Sequence, residues 1–289
     1  MEVGDAVWDW SRPYLLGVVN VTPDSFSDGG RYLDPQRAVD HALALVEEGA
    51  DALDVGGEST RPGAAAVDSD EELRRVIPVI EGIVRATRVP VSIDTTKVAV
   101  ARAALDAGAV IVNDVGTGDP PEALGALAAR RGAAYIAMHS RGAIEREAER
   151  AASAYDDVVS AVRAALARFA ARLVDVGVPP SRVILDPGIG FAKTAAQSLA
   201  VLANLDALRA LGHALCVGAS RKSFLVDPRA YGDAWAEDPS TAQDRLGGTA
   251  AAVTVAVLQG AEVLRVHDVA AMRQAARVAH GLRRARRSP

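Results

Sequence analysis

The amino-acid sequence predicts a single (β/α)8 barrel, and three observations carry this prediction. Short apolar runs recur about eight times, each leads into a polar or glycine-rich loop, and an alanine-rich amphipathic stretch follows. Short, almost continuously hydrophobic runs are typical of strands buried on both faces of a parallel sheet. About eight such units fit a closed barrel better than the alternative, a doubly wound open sheet. The predicted strands are residues 14–19, 52–55, 91–93, 110–112, 134–138, 183–185, 214–217 and 263–266.

The stretches between these runs are helical in composition. Segments 38–49, 97–108 and 121–132 each end in glycine, a common helix stop, and segment 155–177 is long and charged on one side. No linker divides the chain, so we predict one domain over residues 1–289. An N-terminal extension covers 1–13 and a basic tail covers 281–289. Segment 227–244 matches no recognisable feature.

Composition excludes several classes of protein. Lys and Arg number 32 against 37 Asp and Glu, a net charge of −5, which argues against a nucleic-acid-binding protein. One cysteine, Cys216, permits no internal disulfide and no cysteine-based zinc site, and we expect it to be a buried core residue. No apolar stretch approaches 18 residues, and the first ten residues lack a signal-peptide pattern. We therefore expect a cytoplasmic protein without a membrane span.

Polar residues cluster directly after the apolar runs. Barrel enzymes build their sites at this end of the strands, so we expect these side chains to converge. Helix capping explains one or two of them, but not polar residues inside or at the tips of buried strands, where burial requires partners. The residues concerned are Asn20, Asp54, Asp94, Asn113, Met138-His139, Asp186, Ser220, Lys222, Arg265 and His267.

Two kinds of binding chemistry are present in this set. Asn20, Lys222, Arg265 and His267 offer hydrogen-bonding or cationic groups suited to phosphate oxygens. Asp94, Asn113 and Asp186 are suited to the amino-substituted edge of a flat heterocycle. Together they indicate a phosphorylated heterocycle as ligand. No Walker A or zinc signature occurs, and the metal that this chemistry suits is Mg²⁺, bound by oxygen atoms.

The motifs resemble those of the dihydropteroate synthase family over nearly the whole chain. The two longest are specific and stand in the family's order. The matching segments are 20–30 (NVTPDSFSDGG), 54–63 (DVGGESTRPG), 92–95 (SIDT), 113–114 (ND), 138–139 (MH), 186–193 (DPGIGFAK), 220–222 (SRK) and 265–268 (RVHD). Ser140 departs from the pattern, since the family often has a larger apolar residue there.

The resemblance implies a barrel transferase of folate biosynthesis. Its substrates would be 6-hydroxymethyl-7,8-dihydropterin diphosphate and 4-aminobenzoate, its products 7,8-dihydropteroate and diphosphate, and its metal Mg²⁺. No nucleic acid or membrane partner is implied, and the expected assembly is a homodimer formed through late helices.

The resemblance also implies a role for individual residues. Asp94, Asn113, Asp186 and Lys222 would hold the pterin. Asn20, Arg265 and His267 would hold diphosphate, with Asn20 also near Mg²⁺. The residues expected around 4-aminobenzoate and the reacting centre are Phe26, Thr60, Arg61, Pro62, Phe191 and Ser223. Asp28 would belong to the first of two loops, following the first two strands, that close in the reactive state.

Two residues keep open alternatives. His139 is either functional or a core histidine whose hydrogen bonds are satisfied, and Lys193 is either an anion ligand or a solvated loop lysine.

Two other functions are also considered: methyl transfer from a folate to a corrinoid, and a non-enzymatic paralogue. The first has less use for a complete diphosphate set, and the second should have lost residues that this chain retains.

Overall fold

Eight parallel strands close into a barrel in the computed structural model, which describes residues 1–22, 34–59, 67–116, 122–140, 155–227 and 245–286. The barrel strand at residues 263–266 pairs with the one at residues 14–20, which closes the sheet. The predicted barrel is therefore confirmed, and the open doubly wound sheet is excluded. The strands are β3 (Tyr14–Asn20), β4 (Ala52–Gly56), β5 (Val91–Asp94), β6 (Ile111–Asp114), β7 (Ala134–Met138), β8 (Val183–Asp186), β9 (Ala214–Val217) and β10 (Val263–Val266), after a hairpin of β1 (Glu2–Val3) and β2 (Ala6–Val7).

Several strands run further than their hydrophobic residues. The strands β3, β4, β5 and β8 each include one polar residue or glycine beyond the predicted end, and β6 ends at Asp114 instead of residue 112. The ladder is formed by backbone groups, so it continues where the side chains turn polar. Four of the functional candidates, Asn20, Asp94, Asn113 and Asp186, therefore belong to the strands themselves.

Helices alternate with the barrel strands as expected. The helix after β3 begins three residues before its predicted start, because Asp34 caps it by accepting from the Gln36 N–H and Pro35 occupies its first turn. It ends at Gly49, whose φ is 103°, as the glycine predicts. The helices are α1 (Pro35–Glu48), α2 (Ser69–Ala86), α3 (Val98–Asp106), α4 (Glu122–Arg131), α5 (Val158–Asp175), α6 (Ala195–Ala203), α7 (Leu205–Arg209), α8 (Leu246–Leu258) and α9 (Val269–Ala285).

The amino-terminal residues plug the bottom of the barrel. Trp8 is 2% exposed and stacks on Tyr14 with ring centroids 4.8 Å apart, and the two pack with Leu16, Ile111 and Val263 inside the barrel. Cys216 belongs to this inner apolar layer and is fully buried, which confirms it as a core residue. The extension at 1–13 thus completes the core.

The inner layer turns polar towards the carboxyl ends of the strands. Side chains alternate between the two faces of a strand. Leu16 and Val263 face the lumen, so residues an even number of positions further along the same strands face it too.

No helix in the described ranges is long and apolar enough to cross a membrane. Of segment 227–244, only Asp227 lies within the described residues.

Candidate active site

The centre of the site is a buried arginine between two carboxylates. Arg265 Nε lies 2.6 Å from Asp54 Oδ2, and Arg265 Nη2 lies 2.7 Å from Asp94 Oδ2. Burial acts to lower the pKa of Arg265, but Asp54 and Asp94 outweigh it and raise that pKa above its ordinary value. The guanidinium is therefore a permanent charge whose position is fixed from two sides.

Asp54 also binds Asn113. The Asn113 Nδ2 atom lies 2.9 Å from Asp54 Oδ2, and both residues are buried. A carboxylate accepts hydrogen bonds and donates none, so the amide NH2 must face Asp54. This leaves the carbonyl oxygen of Asn113 as the atom available to accept from a ligand.

Asp94 sits at the tip of β5, beside the last residue of β4. Its side chain is 9% exposed, and its carboxylate packs against Gly56. Burial raises the pKa of Asp94, and the charge of Arg265 opposes this rise. Its environment therefore favours a cationic or N–H-rich ligand edge that compensates the buried charge.

Asp186 stands across the mouth with one carboxylate oxygen already engaged. The Gly188 N–H donates to Asp186 Oδ1 at 2.7 Å. Burial raises the pKa of Asp186, and Lys222 partly lowers it. The Lys222 ammonium donates to the Ile189 carbonyl and lies 4.0 Å from the centroid of the Phe191 ring. Two residues expected to contact different substrates, Lys222 and Phe191, are thus in contact.

His267 is placed by Ser220, which follows β9. The Ser220 Oγ accepts from the His267 N–H at 3.2 Å and lies 3.0 Å from His267 Nδ1. The residue after Ser220, Arg221, has a φ of 59°. Its guanidinium donates two hydrogen bonds to the carboxylate of Asp268. Two consecutive residues after β9 therefore bond to two consecutive residues after β10, His267 and Asp268.

The remaining expected residues fall into two groups. Asn20 ends β3 and is half-buried, Phe191 is half-buried, and Ser223 is exposed at the start of a short 3-10 turn, Ser223–Val226. The others, Phe26, Asp28, Thr60, Arg61 and Pro62, lie outside the described residues. The structure thus brings together Asp94, Asn113, Asp186, Lys222, Arg265 and His267 at one end of the barrel.

Two contributing side chains have no role assigned from the sequence, Asp54 and Ser220. Asp54 and Ser220 were noted only as polar residues, yet each positions a candidate ligand. The signal for Asp54 was available: it is the one charged residue in an otherwise apolar strand of five residues. Lys193 is 6% exposed, so the idea of a solvated loop lysine is wrong, and His139, 4% exposed, is its partner.

Asn20 is the side chain expected to bind a metal ion. Within the described ranges, no group of three or more His, Cys, Asp or Glu residues is placed to share a metal ion. A metal held by one amide oxygen, by water and by the ligand's phosphates needs no such group, and Mg²⁺ is commonly bound in that way. The Asn20 side chain at the tip of β3 fits that role.

Comparison with known proteins points to one family. The model of the family described as "Pterin binding enzyme" matches residues 16–267. A dihydropteroate synthase from Mycobacterium leprae is 47% identical over 264 residues, covering 91% of this chain and 91% of the relative. One from Synechocystis is 43% identical over 288 residues, covering 98% of this chain and 94% of the relative.

Solved structures agree with these relatives. A dihydropteroate synthase of Xanthomonas albilineans with 4-aminobenzoic acid has a TM-score of 0.84 at 42% identity, covering 97% of this chain and 95% of the other. The same organism's enzyme in complex with 7,8-dihydropteroate has a TM-score of 0.83 at 38% identity, and the match covers 99% of this chain and 98% of the other.

Proposed function

The chain belongs to the dihydropteroate synthase family, and from this premise we propose how its site performs the family's reaction. The enzyme is a transferase of folate biosynthesis. It condenses 6-hydroxymethyl-7,8-dihydropterin diphosphate with 4-aminobenzoate, giving 7,8-dihydropteroate and diphosphate. The observation that carries this proposal is the convergence of Asp94, Asn113, Asp186 and Arg265 at one barrel mouth.

The pterin binds among Asp94, Asn113, Asp186 and Lys222. What supports this is the arrangement of acceptors, because two buried carboxylates and the carbonyl oxygen of Asn113 suit a heterocycle rich in N–H groups. Lys222, from the adjoining loop, supplies a donor to the same ligand. The raised pKa values of Asp94 and Asp186 reflect a desolvated pocket, in which a complementary ligand is bound strongly.

The diphosphate binds to Asn20, Arg265 and His267. Arg265 supplies a charge that does not titrate near neutral pH, and Ser220 fixes the imidazole of His267. Preorganised donors of this kind stabilise charge that develops on a leaving group. Asn20 contributes an amide from β3, the strand paired with β10.

Mg²⁺ is the metal that we propose for this half of the site. Asn20 would hold it together with oxygen atoms of the diphosphate. When bound, the ion supplies electrostatic stabilisation of the diphosphate as it leaves.

The reaction needs no nucleophile from the protein. The carbon–oxygen bond to the diphosphate breaks, and the positive charge that develops on the pterin is stabilised by Asp94 and Asp186. Arg265 and His267 meet the opposite charge on the diphosphate. The amine of 4-aminobenzoate then attacks the pterin carbon and loses a proton. No covalent enzyme intermediate forms.

We assign the 4-aminobenzoate side to residues on several loops. Phe191 and Ser223 are the described members, and the ring of Phe191 lies against Lys222 of the pterin half. Phe26, Asp28, Thr60, Arg61 and Pro62 complete the assignment on the family resemblance alone.

Assembly and location are part of the proposal. A homodimer is supported by α9, where Val278 and Leu282 are 64% and 49% exposed and stand four residues apart on one helix face. A cytoplasmic location is consistent with Cys216, a buried free thiol of the kind common in reducing compartments.

An assay of diphosphate release tests the proposed reaction. Release that depends on both the pterin diphosphate and 4-aminobenzoate, with dihydropteroate formed in equal amount, is the expected outcome. Release with the pterin substrate alone would contradict the condensation. Methyl transfer from a folate to a corrinoid, without diphosphate release, would point to the alternative barrel function.

A further inference from the structure

Lys193 is a buried ammonium surrounded by acceptors. Its Nζ lies 3.0 Å from His139 Nδ1, 2.9 Å from the Gly188 carbonyl oxygen and 3.0 Å from the Phe191 carbonyl oxygen. An ammonium group has three N–H donors and no acceptor. Three acceptors of the protein lie at hydrogen-bond distance, one for each N–H of the ammonium group.

The contact with Lys193 also determines the state of His139. Because an ammonium only donates, Nδ1 of His139 accepts, and the imidazole is neutral with its proton on Nε2. The backbone N–H of His139 donates to the Asp186 carbonyl at 2.9 Å. His139 therefore connects the end of β7 to Asp186 through its backbone and to Lys193 through its ring.

The turn after Asp186 has a backbone that its sequence only partly favours. Gly188, Gly190 and Ala192 have φ values of 61°, 80° and 47°, and the left-handed region is uncommon for a residue with a side chain. Lysines bind three of its carbonyls: Lys193 binds those of Gly188 and Phe191, and Lys222 binds that of Ile189. Two ammonium groups thus stabilise this turn.

Two residues of the site depend on the shape of that turn. The Gly188 N–H fixes one oxygen of the Asp186 carboxylate, and the Phe191 ring lies against Lys222. A change in the turn would move both residues without altering the strand β8 that precedes it.

We propose that Lys193 is a positioning residue, which with neutral His139 as acceptor holds Asp186 and Phe191 in their binding geometry. The proposal rests on the proposed function only in taking these two residues as substrate contacts. The chain has just three lysines, Lys97, Lys193 and Lys222. A compact ammonium can point three donors at three converging acceptors, which the planar fork of arginine does not reproduce.

The test uses four variants and one control in the full chain. Lys193→Met removes the donors, and Lys193→Arg keeps the charge but changes its geometry. His139→Leu removes the acceptor, and His139→Asn places an amide oxygen near the position of Nδ1. The control is His213→Leu, since His213 also lies near a carbonyl, that of Pro180, but precedes β9 at the opposite end of the barrel.

Calorimetry with 6-hydroxymethylpterin and, separately, with diphosphate and Mg²⁺ gives the readout. We expect Lys193→Met, Lys193→Arg and His139→Leu to weaken pterin binding about tenfold and to leave diphosphate binding within about twofold. His139→Asn should recover pterin binding to within about threefold of the unchanged protein, and the control should not differ from it. Equal loss for both ligands, or full pterin affinity in Lys193→Arg, overturns the proposal.

A nitrogen-15 NMR spectrum of the unchanged protein provides a measurement that no folding defect can obscure. The expected signature for His139 is an unprotonated Nδ1 and a protonated Nε2 at neutral pH. A proton on Nδ1 overturns the proposal. Failure of the proposed function is distinct from this, because it would leave His139 in the expected tautomer while the unchanged protein forms no dihydropteroate.

Discussion

Arg265 donates to Asp94 across the barrel mouth, with 2.7 Å between Arg265 Nη2 and Asp94 Oδ2. A residue assigned to diphosphate is therefore bonded to one assigned to the pterin. The two halves of the site share this arginine, so they are not independent binding sites.

Replacing Arg265 with alanine should affect both ligands unequally. We expect kcat/KM to fall by about a hundredfold or more, because the growing charge on the diphosphate loses its main donor. Affinity for the bare pterin should also fall, by roughly fivefold, since Asp54 and Asp94 lose their buried counter-ion. An assay of diphosphate release gives kcat/KM, and calorimetry gives the affinity for the bare pterin; an unchanged pterin affinity would contradict the shared role.

Asp186→Asn tests the pterin assignment directly. The substitution keeps the shape but removes the charge that faces the N–H edge of the ligand. Affinity for the bare pterin should fall by roughly tenfold or more, as for a hydrogen bond to a charged group. The matched control is Asp114→Asn, because Asp114 is also a buried strand-end carboxylate but bonds Tyr135 and the Gly116 N–H. Equal pterin affinities for the two variants would remove Asp186 from the pocket.

Asp54 offers a contrast between two substitutions of similar size. Asp54→Leu deletes the acceptor that orients Asn113, so pterin affinity should fall roughly tenfold. Asp54→Asn keeps an oxygen that accepts from Asn113 and Arg265, so the loss should be about threefold or less. Should both variants lose the same affinity, hydrogen-bond orientation would not be the function of Asp54.

Pterin binding should strengthen as the pH rises above 3.8, the ordinary pKa of an aspartate carboxyl group. Burial raises the pKa of Asp186 in the free protein, and the ionised carboxylate is the form that pairs with the ligand. Where Asp186 is still protonated, it must lose that proton before it can pair with the ligand in this form. Calorimetry at several pH values should show a rise in affinity for the unchanged protein and a flatter profile for Asp186→Asn. A rise of the same size in both would assign the effect to another group.

The same shift has an opposite consequence for stability. A carboxyl whose pKa is raised above 3.8 binds its proton more tightly in the folded state than in the unfolded state. Its contribution to the free energy of unfolding therefore falls as the pH rises from 3.8 through the raised pKa of the folded state. We expect Asp186→Asn to reduce this fall in chemical denaturation measured at several pH values, and a steeper fall in the variant would contradict it.

Gly188→Ala should destabilise the protein strongly. A Cβ at this position would lie 1.9 Å from the His139 carbonyl oxygen, in a residue whose φ is 61°. Gly212→Ala is the matched control, because its φ is 83° but no atom lies within 4 Å of the added carbon. Chemical denaturation should show a loss of about 3 kcal/mol or more for Gly188→Ala and about 1 kcal/mol for Gly212→Ala. Similar losses in the free energy of unfolding for the two variants would mean that the backbone of the turn shifts at little cost to relieve the contact.

The sequence by itself determined the strands, the fold class and the end of the barrel where the chemistry lies. The physical reason is local: a buried parallel strand must be apolar on both faces, and polar residues at its tip need partners. Asp94, Asn113, Asp186, Arg265 and His267 were identified in this way, without knowledge of their contacts. Several of the predicted strands end one or two residues too early, because the run of hydrophobic side chains stops before the backbone hydrogen bonds of the sheet do.

Only the tertiary structure decided which of these groups meet. Arg265 is 211 residues from Asp54 and 171 from Asp94 along the chain, and closure of the barrel brings them together. The orientation of Asn113 follows from that contact. The acceptors of Lys193 include two backbone carbonyls, which every residue possesses, so no residue pattern could identify them. Their directions are set by the left-handed turn and by the packing of β7 against β8.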